Sequence, residues 1–449
     1  MNSGQANSTT VPSSGSNPIK VQEPQGFFFR KLFRTLFYLH FLFVSILAIV
    51  LTVRGLLAAA NGRRFLPLKW YLPLLASTSL SAIASLAWQF FARCNTSRTL
   101  KAAFWISPLL TCAVGVLLIF VGSPASLAAA AAAVFSSIVQ SLYACWATPR
   151  FDQAILLLSV TLIPPAKTTA LVLLTTAACT LYSCFLLAGI GGATATATSL
   201  DAVFIFALLL SLTWTMHVVK NTLEVTISRV KFLHFAGGMD LDTNLAFRDA
   251  ITHSVGSICL GSAMAPVLGL VRSLGRAMRL LSGDADEFMF SCTDCCFVVG
   301  SRLVRYGNRW GFVQVGVYNK GFVEASMDTW ALFGRVGLEP LIDSDLTSSF
   351  CFLCAVAGGS AAALAGGTWA FVVHRDYTTE VSIYAFLIGY YMCRVGMAWP
   401  QACVAAYYVA SAEIPQECLR FGPTIPLDRI RELHRYQARH SRTTRSSQL

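Results

Sequence analysis

The sequence predicts an all-α, polytopic membrane protein of about ten transmembrane helices in one bundle, with the eighth helix interrupted. Three observations predict it. Of 449 residues, 55% are hydrophobic and only 12% are charged, about half the charged fraction usual in soluble domains. Nine stretches, 35–53, 70–91, 102–122, 125–147, 168–190, 200–221, 251–271, 349–373 and 382–411, reach the length of about 20 apolar residues that a hydrocarbon core requires. Basic residues flank the whole set: Arg30, Lys31 and Arg34 come before it, and Arg420, Arg429, Arg431, Arg435, Arg439, Arg442 and Arg445 after it. That pattern places both termini in the cytoplasm.

Two termini on one side require an even number of crossings, and nine is odd. The missing crossing is sought in 288–318, where FMFSCTDCCFVVG and WGFVQVGVY are each too short to span. Asp294, Arg302, Arg305, Asn308 and Arg309 lie in or between them, so the segment reads as one interrupted span.

The remaining elements follow in order. Residues 1–30 form a Pro- and Ser-rich cytoplasmic tail that is expected to be disordered, with no basic stretch ahead of an apolar core and hence no cleaved signal. The transmembrane domain covers 31–413, and a basic cytoplasmic tail covers 414–449. Arg54, Arg63, Arg64 and Lys69 would lie outside. The apolar segment 151–163 ends at Pro164-Pro165 and is too short to cross, which suits an interfacial or re-entrant helix. GGATATATSL, 191–200, reads as a low-complexity turn, while 228–249 and 334–347 read as polar loops. Pro400 is expected to kink the last span.

Small residues recur at helical spacing in three spans: Ala128 to Ala133; Gly256, Gly261 and Ser262; and GGSAAALAGG, which includes Gly358 and Gly359. In lipid, helices associate by close packing, and small side chains let their backbones approach. The net charge of +12 sits mostly in the tails and between apolar stretches, so it reflects retention of basic loops rather than nucleic-acid binding. Cys292 with Cys295 and Cys351 with Cys354 have CxxC spacing, but neither pair has the further ligands a metal site needs. No GxxxxGK[ST] loop, HExxH or GxGD occurs, and no nucleophile stands with a base to pair with, so neither an enzyme nor a cofactor is expected.

Polar residues inside apolar spans mark the candidate site. Trp214 and Asn221 are seven residues apart on nearly one helical face, with Glu224 one turn beyond. From Asn308 to Trp330 aromatic and polar residues alternate, including Tyr318, Lys320 and Glu324, and Gly311, Gly316 and Gly321 weaken a continuous helix. Broken helices at membrane depth are where transporters place their sites. Arg394, inside the last span, needs a partner or water.

These residues carry a resemblance. Trp214 with VVKN at 218–221, the GSICLGS helix at 256–262, the Cys-rich Cys292, Cys295 and Cys296, and NRWGFVQVGVYNKGF at 308–322, which is like NKYAYVQIAIYGKSF, resemble the choline transporter-like family of membrane solute carriers. The match in order and spacing runs from about residue 200 to 410. Ser228-Arg229 stands where the family usually has Ala-Gly, and Asn319 stands in place of a Gly. The resemblance implies about ten membrane helices, cytoplasmic termini, and alternating-access transport of choline or a related organic cation without metal or nucleotide. It carries over most directly to Trp214, Asn221, Gly256, Gly261, Asn308, Tyr318 and Lys320.

A quaternary ammonium offers no N–H, so aromatic faces and a carboxylate must recognise it. The expected substrate-binding set is therefore Trp214, Asn221, Glu224, Tyr318, Lys320 and Glu324, with Gly256, Gly261, Ser262, Gly358 and Gly359 packing helices. The expected membrane is the plasma membrane, with an endomembrane as the alternative. A non-transporting scaffold or lipid-handling protein is the competing function.

Overall fold

The computed structural model of the chain describes residues 27–60, 66–162, 168–196, 198, 200–281, 303 and 305–414, which are helical apart from short connections. The first half comprises α1 (Phe27–Ala60), α2 (Pro67–Cys94), α3 (Thr96–Val121), α4 (Pro124–Ala147), α5 (Phe151–Thr161), α6 (Thr168–Thr196) and α7 (Asp201–Gly237). The second comprises α8 (Thr243–Asp249), α9 (Val255–Leu281), α10 (Gly311–Tyr318), α11 (Phe322–Val336), α12 (Glu339–Ser344), α13 (Thr347–Val373), α14 (Thr378–Gly396) and α15 (Ala398–Glu413). Among the described residues nine helical stretches are long and apolar enough to cross a membrane, each overlapping one predicted from sequence. Helices suit that role because each satisfies its own backbone where no water is available. Residues 1–26 and 415–449 of the tails, and residues 288–302 of the interrupted segment with Cys292, Cys295 and Cys296, lie outside the described residues, while 27–30 belong to α1.

Side-chain bonds gather one end of the bundle. Arg54 pairs with Asp201 at 3.3 Å, Leu66 N–H donates to Tyr377 Oη at 3.3 Å, and Arg375 donates to the Val121 carbonyl at 3.1 Å. The ends of α1 and α3 therefore meet the starts of α2, α7 and α14. Of the nine stretches α13 is the most enclosed and α1 the least.

Small residues set how closely the helices approach. A Cβ on Gly358 would lie 2.2 Å from Cys393 Sγ, and one on Gly359 would lie 2.8 Å from the Phe386 carbonyl oxygen, so α13 and α14 are packed backbone against backbone. The Ala128–Ala133 run behaves otherwise: only Ala130 is buried and the rest face outward or sit at the margin. Helices α1 and α6 approach as closely, since a Cβ on Gly192 would lie 2.1 Å from the Leu51 carbonyl oxygen. This corrects the reading of 191–200 as a turn. Helix α6 continues to Thr196 because Gly191 and Gly192 fit against Trp70, Tyr71 and Leu51.

One further departure has a local cause. The last predicted span is two helices, α14 and α15, divided at Met397. Pro400 has no N–H to offer the Gly396 carbonyl four residues back, and Gln89 Nε2 of α2 donates to that carbonyl instead, at 2.6 Å. The 151–163 segment forms the separate short helix α5, entered through a turn at Thr148–Arg150 and burying Phe151, Ala154, Leu157 and Leu158 along one face.

The Asn308–Trp330 run folds back on itself. Phe312 and Phe322 pack with rings tilted by 37° and centroids 4.8 Å apart, Asn308 Nδ2 donates to the Ser326 carbonyl at 2.8 Å, and Trp310 meets Phe333 edge-on at 5.9 Å. Helices α10 and α11 are thus the arms of a hairpin with its tip at Asn319–Gly321. Asn319 takes the left-handed conformation, φ 52°, that ends α10. Asn is among the few side chains that tolerate it, which is why Asn can stand in the position of a Gly.

Candidate functional site

Helix α7 is the spine of the polar interior. Lys220 and Glu224 are one turn apart, and their side chains are 7% and 1% exposed. Lys220 Nζ lies 2.7 Å from Glu224 Oε2 and donates to Asn221 Oδ1 at 3.2 Å. Asn221 Nδ2 donates to Ser262 Oγ at 2.8 Å, and Ser262 Oγ donates to the Ile258 carbonyl at 2.7 Å. A single chain of bonds therefore runs from Glu224 through Lys220 and Asn221 to α9. Glu224 Oε1, also buried, has no hydrogen-bond partner among the described residues. A buried polar atom left in that state calls for an explanation beyond packing.

Trp214 sits two turns earlier on α7, where α1, α7 and α9 meet. Its ring centroid is 4.8 Å from that of His40 and 5.5 Å from that of Phe37, and its Nε1 donates to the Cys259 carbonyl at 3.5 Å. His217 packs across to α14, 5.7 Å from the Tyr391 ring, with Nδ1 2.8 Å from the Thr213 carbonyl oxygen. Arg394 lies near enough to Lys220 to repel it, is partly exposed, and makes no hydrogen bond among the described residues.

Tyr318, Lys320 and Glu324 gather separately at the hairpin tip. Arg30 of α1 donates to the Asn319 carbonyl at 3.1 Å, to Asn319 Oδ1 at 2.9 Å and to the His253 carbonyl at 2.8 Å. His253 belongs to the π-helical turn Ala250–Ser254 ahead of α9. Lys320 pairs with Asp328 at 2.5 Å, and its ammonium stands 5.6 Å from the Tyr318 ring centroid. Tyr318 Oη donates to Glu413 at the end of α15. Glu324 has Arg30 as its electrostatic neighbour.

The six expected substrate residues thus fall into two groups. Trp214, Asn221 and Glu224 lie within the bundle, whereas Tyr318, Lys320 and Glu324 lie beside a later part of α7, where Tyr318 meets Phe232 at 6.3 Å. No hydrogen bond or ring contact joins the groups directly among the described residues. The packing residues are all in tight places: a Cβ on Gly256 would lie 2.1 Å from the Arg30 carbonyl oxygen, and one on Gly261 would lie 2.7 Å from the rings of Phe312 and Phe322.

Two ion pairs escaped the sequence reading, those of Lys220 and Arg309. Lys220, which neutralises Glu224, had a signal in the i,i+4 spacing that favours Lys–Glu pairs on a helix. Arg309 pairs with Asp345 at 2.7 Å and bonds Ser348 Oγ, tying the hairpin base to the start of α13. Asp345 is fully buried and also accepts from Thr347 N–H at 3.0 Å. That pair had no signal, since 36 residues separate its members.

Residues 110–416, which take in α4 through α15, match the family model described as plasma-membrane choline transporter. Among curated proteins the chain is similar to PNS1 of Mycosarcoma maydis, 27% identical over 220 residues, which are 45% of this chain and 41% of that protein. It is similar to PNS1 of Gibberella zeae, 26% identical over 231 residues, 49% of this chain and 43% of that protein. It is also similar to PNS1 of Yarrowia lipolytica, 29% identical over 182 residues, 38% and 32% of the two chains. The matched stretch spans less than half the length of each of these relatives.

Proposed function

The chain belongs to the plasma-membrane choline transporter family, and we propose on that premise that it moves choline or a related organic cation across a membrane by alternating access, without ATP hydrolysis. The observation that carries the reading is Glu224, a carboxylate 1% exposed inside an apolar bundle and with one oxygen unpartnered. An ionisable side chain inside a membrane helix marks a substrate or ion path by default, and here Lys220 balances the charge of Glu224 while the site is empty. Trp214 lies two to three turns away on the same helix and supplies an aromatic face, which contributes about 0.5–2 kcal/mol toward a quaternary ammonium. The substrate path therefore follows α7 between Trp214 and Glu224.

The hairpin tip serves as the gate of that path. Its contacts join elements far apart in sequence, Arg30 to Asn319 and Tyr318 to Glu413, and these must part for the end of the bundle to open. Both termini are cytoplasmic on the strength of their basic residues, so the tip beside Arg30 is the cytoplasmic gate. The plasma membrane is the proposed location.

The test is uptake of radiolabelled choline into proteoliposomes containing the purified chain. Saturable uptake, competed by unlabelled choline and absent from empty vesicles, is expected. Absence of saturable uptake for choline, ethanolamine and other organic cations would sink the proposal.

A further inference from the structure

Two of the groups suited to attract a cation, Glu224 and Tyr318, already hold one, and in each case it belongs to the chain itself. Lys220 Nζ is 2.7 Å from Glu224 Oε2, and the Lys320 ammonium stands 5.6 Å from the Tyr318 ring centroid. We propose that Lys220 is a resident competitor, which occupies Glu224 while the substrate site is empty and is displaced from it by the incoming cation. The proposal rests on the transport reading above and names the residue that sets its apparent affinity.

Three observations carry it. The first is that the pair is almost wholly enclosed, where a salt bridge yields little net stability over well-packed apolar residues of the same size. Its retention is better explained by exchange than by holding the fold. The second is that Glu224 keeps Oε1 unpartnered while Oε2 holds the lysine. Binding capacity therefore remains on the carboxylate even in the paired state. A quaternary ammonium, which needs charge rather than an acceptor for N–H, can approach that oxygen first.

The third is that Lys220 has somewhere to go. Asn221 Oδ1 already accepts from its ammonium at 3.2 Å, so release from Glu224 leaves the lysine with a partner. Arg394 repels Lys220 as well. Lys220 and an incoming cation draw on the one carboxylate, so attraction gained by the substrate loosens the hold of Glu224 on Lys220. Asn221 is in turn bonded to Ser262 of α9 at 2.8 Å, and Gly261 beside it touches the hairpin rings Phe312 and Phe322. Displacement of the lysine is thereby felt at the element that gates the path.

The experiment measures equilibrium choline binding and uptake by the full chain and by K220Q, K220R, E224Q and K220Q/E224Q, with melting temperature and elution profile recorded for each. A site blocked in about nine molecules of ten binds about tenfold more weakly than the free site. K220Q is therefore expected to bind choline at least about tenfold more tightly and to release it more slowly, K220R to stay near wild type, and the double variant to bind no better than E224Q.

A second readout needs no variant: choline should raise labelling of Lys220 by an amine-reactive probe several-fold, as measured by mass spectrometry. A folded K220Q with unchanged or weaker affinity overturns the proposal. If K220Q does not fold, Lys220 labelling that ignores choline overturns it as well. A wild-type protein inert toward choline, ethanolamine and other organic cations overturns the transport reading, and this inference with it.

Discussion

Replacing Gln89 by Ala tests whether the break between α14 and α15 is held by a bond donated from outside the helix. Gln89 is 4% exposed, and its Nε2 donates at 2.6 Å to the Gly396 carbonyl, which Pro400 leaves without its usual helical donor. An orphaned carbonyl in a dry interior costs about 1–3 kcal/mol, whereas an ordinary side-chain bond between membrane helices averages about 0.6 kcal/mol. Gln89→Ala should therefore fall in the upper range, about 1–3 kcal/mol, and lower the melting temperature of the detergent-solubilised protein by a few degrees. Pro400→Ala supplies the missing N–H, so Gln89→Ala in that background should cost about 1 kcal/mol or less. The two costs form a double-mutant cycle with a coupling of about 1 kcal/mol. Equal costs in both backgrounds would refute the reasoning.

Other substitutions test separate parts of the molecule. Gly192→Val drives a side chain into the Leu51 carbonyl, 2.1 Å from the Cβ position, and should abolish the monodisperse peak in size-exclusion chromatography; a well-behaved variant with wild-type melting would contradict the α1–α6 contact. Asn319→Val should destabilise more than Asn319→Gly, because a left-handed residue costs a branched side chain more than about 1–2 kcal/mol while Gly adopts the conformation freely; the reverse order in thermal melts would exclude the positive φ. Trp214→Ala should weaken choline uptake by about 2- to 30-fold, the equivalent of one cation–π face at 0.5–2 kcal/mol; undiminished uptake would move the path away from α7.

The spans were legible because a hydrocarbon core imposes a length of apolar sequence that few other demands produce. Some boundaries carry local signals that the reading of the sequence passed over: Ser123 with Pro124 opens α4, where Ser123 Oγ accepts from Ser126 N–H at 3.1 Å, and Gly238, within the expected 228–249 loop, closes α7 in the left-handed conformation. Features that depend on a distant partner were not legible. Gly191 and Gly192 look like a turn until α1 and α2 are laid against them, and Arg309 looks unpaired until the chain returns with Asp345. For Lys220 and Glu224 the spacing was visible, but an i,i+4 pair is equally common on a solvated face. Only the packing of α7 among α9, α13, α14 and α15 turns it inward.

The same contrast between local and distant contacts indicates which interface moves in the proposed cycle. Helix α10 lies directly on α7, with a Cβ on Gly316 reaching to 2.7 Å from the Val225 carbonyl oxygen, so separating the two would expose backbone and the buried rings of the hairpin together. Helix α1 holds the tip differently, through the bonds from Arg30 to Asn319, which are solvent-exposed. Exposed bonds of that kind yield about 1 kcal/mol each or less and are replaced by water when they part. A cation entering beside Glu224 has only its differential affinity to spend on a conformational change, and that is enough to part the Arg30 contacts but not to unpack α10 from α7. In the proposed cycle the hairpin and α7 therefore travel as one body, and the surfaces that part lie toward α1 at Arg30 and toward α15 at Glu413.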